Sequence, residues 1–339
     1  MVNDWRIYRG AGHPHDEIRR LPAPPPWRDF SAGGADDTLA GSDRRLGVKR
    51  RLVQNHHPRP AETDAVNAAL YLRRPLLVTG NPGTGKSTLA HAVAHELRLG
   101  RVLRWPIVSR STLQDGLYRY DAIGRLQDVQ LERARTGTPG SAAAAPAGIG
   151  SYIRLGPLGT ALLPSEQPRV LLIDELDKSD LDLPNDLLNA LEEGEFAIPE
   201  LERIADREPV VEVLGDDGRK VPVYGGRIRC TTFPFIVLTS NGERDFPAAL
   251  LRRCIRLELE PPGEEQLGAM IEAHLGSDAV AGEGEQGLVQ RFLNREPGEV
   301  IATDQLLNAL YLTQHASRAE RVTRERIADM LMQPLDQPR

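Results

Sequence analysis

The chain has 339 residues, 40% of them hydrophobic and 27% charged, enough to bury a large core and to form two domains. A net charge of −6 argues against a molecule built to coat nucleic acid. Its two cysteines, Cys230 and Cys254, exclude a disulfide framework and a cysteine-based metal cluster. No apolar run reaches the roughly 18 residues of a membrane span, and the polar start Met1–Arg6 lacks the apolar stretch of a secretory signal, so a cytoplasmic protein is expected.

Residues 1–48 are rich in proline, glycine and charge, and Leu21–Trp27 favours an extended polyproline conformation. Trp5, Tyr8, Trp27 and Phe30 are costly to leave in water, so this arm is expected to dock, on its own core or on a neighbouring subunit. The main body is expected over 49–262. Within it, Ala61–Tyr71 sets Ala65, Val66, Ala69 and Leu70 on one helical face, and Pro60 stands where a helix can start.

An apolar run, Pro75–Thr79, then leads into Gly80-Asn81-Pro82-Gly83-Thr84-Gly85-Lys86-Ser87-Thr88, and a helical stretch follows over 89–97. Gly80, Gly85, Lys86 and Ser87 fill the pattern G-x-x-x-x-G-K-[ST] in the strand–loop–helix setting that the pattern requires. Glycines let backbone N–H groups curl around a triphosphate at a helix N-terminus, where the dipole favours anions. Residues 81–88 are therefore the candidate nucleotide cradle, with Lys86 directed at the β- and γ-phosphates and the Ser87 hydroxyl at Mg²⁺.

Val102–Val108 is the next strand candidate, and Thr136–Gly150, which contains Ala142–Ala145, reads as a flexible insertion. Val170-Leu171-Leu172-Ile173-Asp174-Glu175 is apolar without alternation, as in a strand covered on both faces, and it ends in two carboxylates. Ligands of such sheets bind at the carboxyl ends of the strands. Asp174 is thus the candidate for holding Mg²⁺ and Glu175 for polarising an attacking water. Val210–Leu214 and Lys220–Tyr224 flank Gly215-Asp216-Asp217-Gly218 and predict a hairpin over 209–224, with Pro222 marking an edge strand. Ile236–Thr239 is another apolar strand, leading to Asn241. After Pro261-Pro262-Gly263, residues 263–339 read as a helical domain, with helices over Glu264–Leu275, Gln286–Asn294, Thr303–His315 and Arg321–Met332.

Residues 76–88 and 170–175 resemble the two Walker motifs of the AAA+ ATPases. Gly156–Leu158 and Leu183–Phe196 resemble segments of the MoxR group within that superfamily. The likeness runs over roughly 50–320. It implies an α/β fold: a P-loop NTPase αβα core with a parallel sheet, followed by a small all-α lid domain. It implies Mg²⁺-dependent ATP hydrolysis by a homo-oligomer, a hexameric ring in the expected form, that remodels or activates a partner protein. In MoxR-like proteins that partner often carries a von Willebrand factor A-type domain. Asn241 then resembles the sensor 1 residue. The arginine finger falls on Arg252 or Arg253, with Arg253 favoured because it directly precedes Cys254. The stretch 300–307 has no arginine, so no sensor 2 residue is assigned. Leu117–Tyr120 belongs either to a pore surface or to the core. A slow nucleotide-controlled assembly switch and a nucleic-acid motor resembling the McrB type are the alternatives. Arg44–Arg51 is the main support for the motor, and the net charge is the main objection.

Overall fold

The computed structural model describes residues 6–21, 58–136, 148–275, 283–294, 301–315, 326, 328 and 330–333. Trp5, Trp27, Phe30, the basic run at 44–51 and residues 137–147 of the expected insertion lie outside these.

Helix α1 (Pro60–Leu72) opens on Pro60, whose fixed φ suits a first helical turn, and ends on Arg73 in the left-handed region at φ 52°. It hands the chain to β1 (Leu76–Gly80). Then come α2 (Lys86–Glu96) and β2 (Val102–Pro106), which stops short of the predicted Val108. The other strands of the same sheet are β5 (Val170–Asp174), β10 (Phe235–Ser240) and β11 (Ile255–Leu259). All pair in parallel, in the order β11-β1-β10-β5-β2. Every residue of β5 and β10 is buried, the physical reason that neither sequence alternates. Leu171 and Ile173 enter one hydrophobic cluster and Val170 and Leu172 the other, so the sheet is covered on both sides.

On the Val170–Leu172 face, residues 6–21 join the helical layer. Ile7, Tyr8 and Ile18 are buried in that cluster. Asn67 Oδ1 accepts the backbone N–H of Ile7 and Tyr8, at 2.7 and 3.0 Å, and Asn67 Nδ2 donates to the Tyr8 carbonyl. The buried carboxylate of Glu96 accepts from the backbone of Arg9, Gly10 and Gly12. This part of the arm therefore docks on its own core.

On the opposite face a short helix over Pro157–Ala161 packs against β2 and β5, and the same hydrophobic cluster takes in residues of a second sheet of six strands, β3-β4-β7-β8-β9-β6. Its members are β3 (Tyr118–Tyr120), β4 (Ile153–Leu155), β6 (Glu195–Ala197), β7 (Val210–Leu214), β8 (Lys220–Tyr224) and β9 (Arg227–Arg229). The predicted hairpin is β7–β8, in register from Val210↔Tyr224 to Leu214↔Lys220, so Arg219 also belongs to its turn. β8 is not the edge strand that Pro222 predicted, since it lies between β7 and β9; among the described residues its pairing with β9 is confined to Tyr224↔Arg227, which leaves Pro222 outside that ladder. Tyr118 is core: it is buried, stacks on Phe196 with ring centroids 6.4 Å apart, and donates to Glu200 at 2.9 Å. Arg119 is exposed and paired with Asp115. Helix α3 (Leu113–Leu117) precedes β3, and α4 (Ala122–Thr136) fills a stretch for which the sequence predicted no element. Helix α5 (Asp182–Glu193) follows β5, and the short α6 (Ala248–Leu251) precedes β11.

The C-terminal region is helical, with α7 (Glu264–Leu275), α8 (Glu283–Leu293) and α9 (Thr303–His315). It has its own core, in which Leu267, Ile271, Phe292, Leu306 and Leu310 are buried. Most of the predicted fourth helix lies outside the described residues.

Candidate functional site

The strand order sets the site. β10 lies between β1 and β5, so the loop after β1 and the acids after β5 flank the end of a third strand. The crevice at such carboxyl ends is where open α/β sheets take their ligands.

The loop needs its glycines. Gly80 has φ 143°, and a Cβ there would lie 2.4 Å from the Leu259 carbonyl oxygen. Gly83 has φ 80°, and a Cβ there would lie 2.6 Å from the Thr303 nitrogen, so the start of α9 rests on this loop. Gly85, left-handed at φ 88°, turns the chain into α2, whose first residue is Lys86. The Lys86 ammonium folds back onto the carbonyls of Gly80 (2.6 Å) and Asn81 (2.8 Å). Burial pulls its pKa below the ordinary lysine value, against the pull of Asp177, Asp174 and Glu175.

Ser87 and Asp174, distant in sequence, meet: Ser87 Oγ donates to Asp174 Oδ1 at 2.7 Å. Thr239 Oγ1, from β10, donates to the same oxygen at 2.8 Å. Arg104, from β2, donates to Asp174 Oδ2 through Nη2 at 2.5 Å and through Nε at 3.1 Å. Burial alone would raise the Asp174 pKa, but the hydrogen bonds from Ser87, Arg104 and Thr239 outweigh it and hold the carboxyl below its ordinary range. A hydroxyl and an ionised carboxylate side by side are hard oxygen donors, the set Mg²⁺ takes when phosphates complete its shell. Among the described residues no cluster of three or more His, Cys, Asp or Glu is placed to hold a metal alone.

Glu175 sits in the left-handed region at φ 61°, uncommon for a residue with a Cβ. Its N–H donates to Thr239 Oγ1 at 2.8 Å, so one threonine hydroxyl ties both acids of the β5 end. The Glu175 carboxylate is half-exposed and takes the Lys178 ammonium at 2.7 Å. Asn241, half-buried just past β10, is placed through its backbone: its N–H donates to Asp177 Oδ2 at 2.8 Å. Lys86, Ser87, Asp174, Glu175 and Asn241 thus gather at the ends of β1, β5 and β10.

The two arginines differ. Arg253 donates to the Glu192 carboxylate on α5 and to the Ala249 carbonyl, the latter at 3.1 Å. The Glu192 contact raises its pKa. The Arg252 side chain is exposed, and its carbonyl accepts from Arg74. The hydrogen bonds of Arg253 therefore go to α5 and α6 rather than to the Ser87–Asp174 pair of its own chain.

Sequence reasoning missed Arg104, Asp177 and Thr239. Each carries an ordinary residue type at an ordinary position, and its relevance lies in which strand stands beside which.

Among the described residues no helix is long and apolar enough to cross a membrane. Comparison with curated proteins gives no match. Among solved structures, NtrX from Brucella abortus in complex with ADP aligns over 87% of this chain and 55% of that chain, at 16% identity and a TM-score of 0.37. This chain therefore spans about half the length of that protein. The model of the AAA domain (dynein-related subfamily) matches residues 75–254, from the last residue before β1 through the arginine pair to Cys254. The match takes in more than half of the chain and both halves of the crevice, and the chain belongs to this AAA family.

Proposed function

We propose that the protein is a Mg²⁺-dependent ATPase of MoxR-like type that works as a homo-oligomeric ring, a hexamer in the simplest form, and spends hydrolysis on remodelling a partner protein. The observation that carries this reading is the convergence of Ser87, Thr239 and Arg104 on the Asp174 carboxylate, beside Lys86 and Glu175.

Residues 81–88 would cradle the phosphates with their backbone N–H groups. Lys86 would leave the Gly80 and Asn81 carbonyls for the β- and γ-phosphate oxygens, which are stronger acceptors because they are charged. Ser87 and Asp174 would hold Mg²⁺, which supplies charge neutralisation on the phosphates. Glu175 would exchange Lys178 for a water and orient it, with Asn241 fixing the water from the side of β10. The contact of α9 with Gly83 supports a lid that responds to the phosphates. Arg252 or Arg253 would reach a neighbouring subunit's nucleotide. The exposed side chain of Arg252 favours it in this arrangement, and Arg253 would first have to give up Glu192. A partner with a von Willebrand factor A-type domain stays part of the proposal on the MoxR likeness of Leu183–Phe196.

Separate measurements of nucleotide affinity and turnover test the reading. Lys86→Ala should lose ATP binding, whereas Glu175→Gln should bind normally and lose about 10²–10⁴ in turnover. A Glu175→Gln protein that hydrolyses ATP like the wild type would remove the assigned water activator. For the ring, Arg252→Ala and Arg253→Ala are each mixed with Lys86→Ala. Recovery of activity in a mixture identifies a finger acting in trans, and no recovery in either, with subunit exchange demonstrated, overturns the shared site.

A further inference from the structure

Asp177 is a buried acid that the roles given so far leave without a task. It lies in the single turn after Glu175 and is 3% exposed. A carboxylate at that depth is unfavourable in the absence of compensating bonds. Its Oδ2 accepts two backbone N–H groups of the segment that follows β10, Asn241 at 2.8 Å and Glu243 at 3.1 Å. Its Oδ1 is buried and has no hydrogen-bond partner among the described residues. Lys86 and Lys178 both feel its charge.

The two sides of the crevice are thus stitched twice, in opposite senses. From β10, the Thr239 hydroxyl reaches across to Asp174 and to the Glu175 N–H. From the turn after β5, the Asp177 carboxylate reaches back to the segment carrying Asn241. The first stitch lies within the sheet, where parallel pairing already fixes the strands. The second lies beyond the last paired residues of β10 and β5, where no ladder continues. Without it, the N–H groups of Asn241 and Glu243 would lose the one acceptor they share, and the side chain of Asn241 its fixed origin.

We propose that Asp177 is the positioning residue for Asn241: its carboxylate, by holding the Asn241 and Glu243 amides, sets where the Asn241 side chain meets the γ-phosphate and the attacking water. The inference rests on the sensor role given to Asn241 above. In this role Asp177 acts through the Asn241 and Glu243 amides, the two groups its carboxylate accepts from.

The test is a double-mutant cycle on the full chain, with ATP affinity, kcat, KM and thermal unfolding read for each variant. Asp177→Ala should lower kcat about tenfold to a hundredfold, the scale of a misplaced catalytic group, and change ATP affinity less than about threefold. Asn241→Ala should lower kcat similarly, and the double variant should be no worse than the poorer single one. Asp177→Asn keeps an acceptor oxygen of the same reach, so it should restore kcat to within about threefold and keep hydrogen exchange at the 241 and 243 amides slow. Asp177→Asn also carries the test if Asp177→Ala does not fold. Multiplicative loss in the double variant overturns the inference, as does an Asp177→Asn protein with slow exchange but the full loss of kcat, because charge rather than positioning would then be at work. If Asn241→Ala turns over normally, the sensor role falls and this inference with it. If Asn241→Ala is impaired while Asp177→Ala is not, this inference falls alone.

Discussion

The two sheets share one hydrophobic cluster and obey different sequence rules. In the parallel sheet, β5 and β10 are buried from end to end, and their residues alternate between two cores. In the second sheet, β7 runs exposed, buried, exposed, buried over Val210–Val213, and β9 runs exposed, buried, exposed. A strand covered on both sides has no room for polar side chains along its length, so polar groups collect at its end. Asp174, Thr239 and the residues just after them sit at such ends, and Arg104 reaches them from the middle of the edge strand β2, where its position is exposed. The second sheet has one wet face and can carry charge anywhere along it, so charge there says little about function. Position relative to a strand end, more than residue type, separates a site from a surface.

The comparison breaks first in the middle of β5. Leu172→Ala should destabilise the protein by about 2–5 kcal/mol, because the side chain is 0% exposed and packed in the cluster that also holds Val170 and Tyr8. Chemical denaturation reads this directly, and a cost below about 1 kcal/mol would mean that the sheet is not the rigid frame assumed for the site. Next comes the strand end. Thr239→Val keeps the shape but removes the hydroxyl that donates to Asp174 and accepts from Glu175. Leaving a buried N–H without an acceptor costs about 1–3 kcal/mol. Turnover should fall more than ATP affinity, since the N–H that loses its partner belongs to Glu175. Unchanged turnover would uncouple β10 from the acids.

How much of this was legible follows the same division. Lys86 and Ser87 are announced by glycines at fixed spacing, and Asp174 and Glu175 by an unalternating run that ends in acid; both signals are local. Thr239, Arg104 and Asp177 act across β1, β2, β5 and β10, and the sequence does not print the order in which those strands lie. The three-residue strands β3, β4, β6 and β9 are too short for any period to show. The arm could be expected to dock from Tyr8, but its anchors Asn67 and Glu96 sit inside helices where polar residues ordinarily face water. Tyr118 is open between pore and core in the sequence, and its burial, its stacking on Phe196 and its bond to Glu200 decide it.

On the second-sheet side, the expected effects shrink. Helix α3, which leads into β3, is started by a capping box: Thr112 Oγ1 accepts the Asp115 N–H, and Asp115 Oδ2 accepts the Thr112 N–H at 3.1 Å. Thr112→Ala should cost about 1 kcal/mol. Burial works against the Asp115 carboxylate, but the Thr112 hydrogen bonds and Arg119 hold its pKa below the ordinary value. A depressed folded pKa gives stability that is present above the unfolded value, near pH 3.9 for an aspartate, and lost as pH falls through the folded one. The difference in unfolding free energy between wild type and Thr112→Ala should therefore hold from neutral pH to about pH 4 and narrow below it. A difference that stays constant into acid would mean that the carboxylate takes no part in the cap.

The smallest effect expected is on the wet face of the hairpin. Val210 and Tyr224 are register partners, 47% and 65% exposed. Neither needs to be apolar for the fold, because a β7–β8 ladder of five residue pairs and the buried Val211, Val213 and Val223 already fix the strands. A cross-strand pair of this kind contributes about 0.2–1 kcal/mol. Val210→Ser with Tyr224→Ser should therefore lower stability by no more than that, with kcat and ATP affinity unchanged. The costs of the two singles should together exceed that of the double by the coupling between the side chains, which the cycle measures. A loss above about 2 kcal/mol would place the pair in a core, contrary to its exposure, and would erase the distinction between the two sheets at its weakest point. A change in turnover with stability intact would break it differently, by showing that a face with no residue at a strand end of the parallel sheet still controls the site.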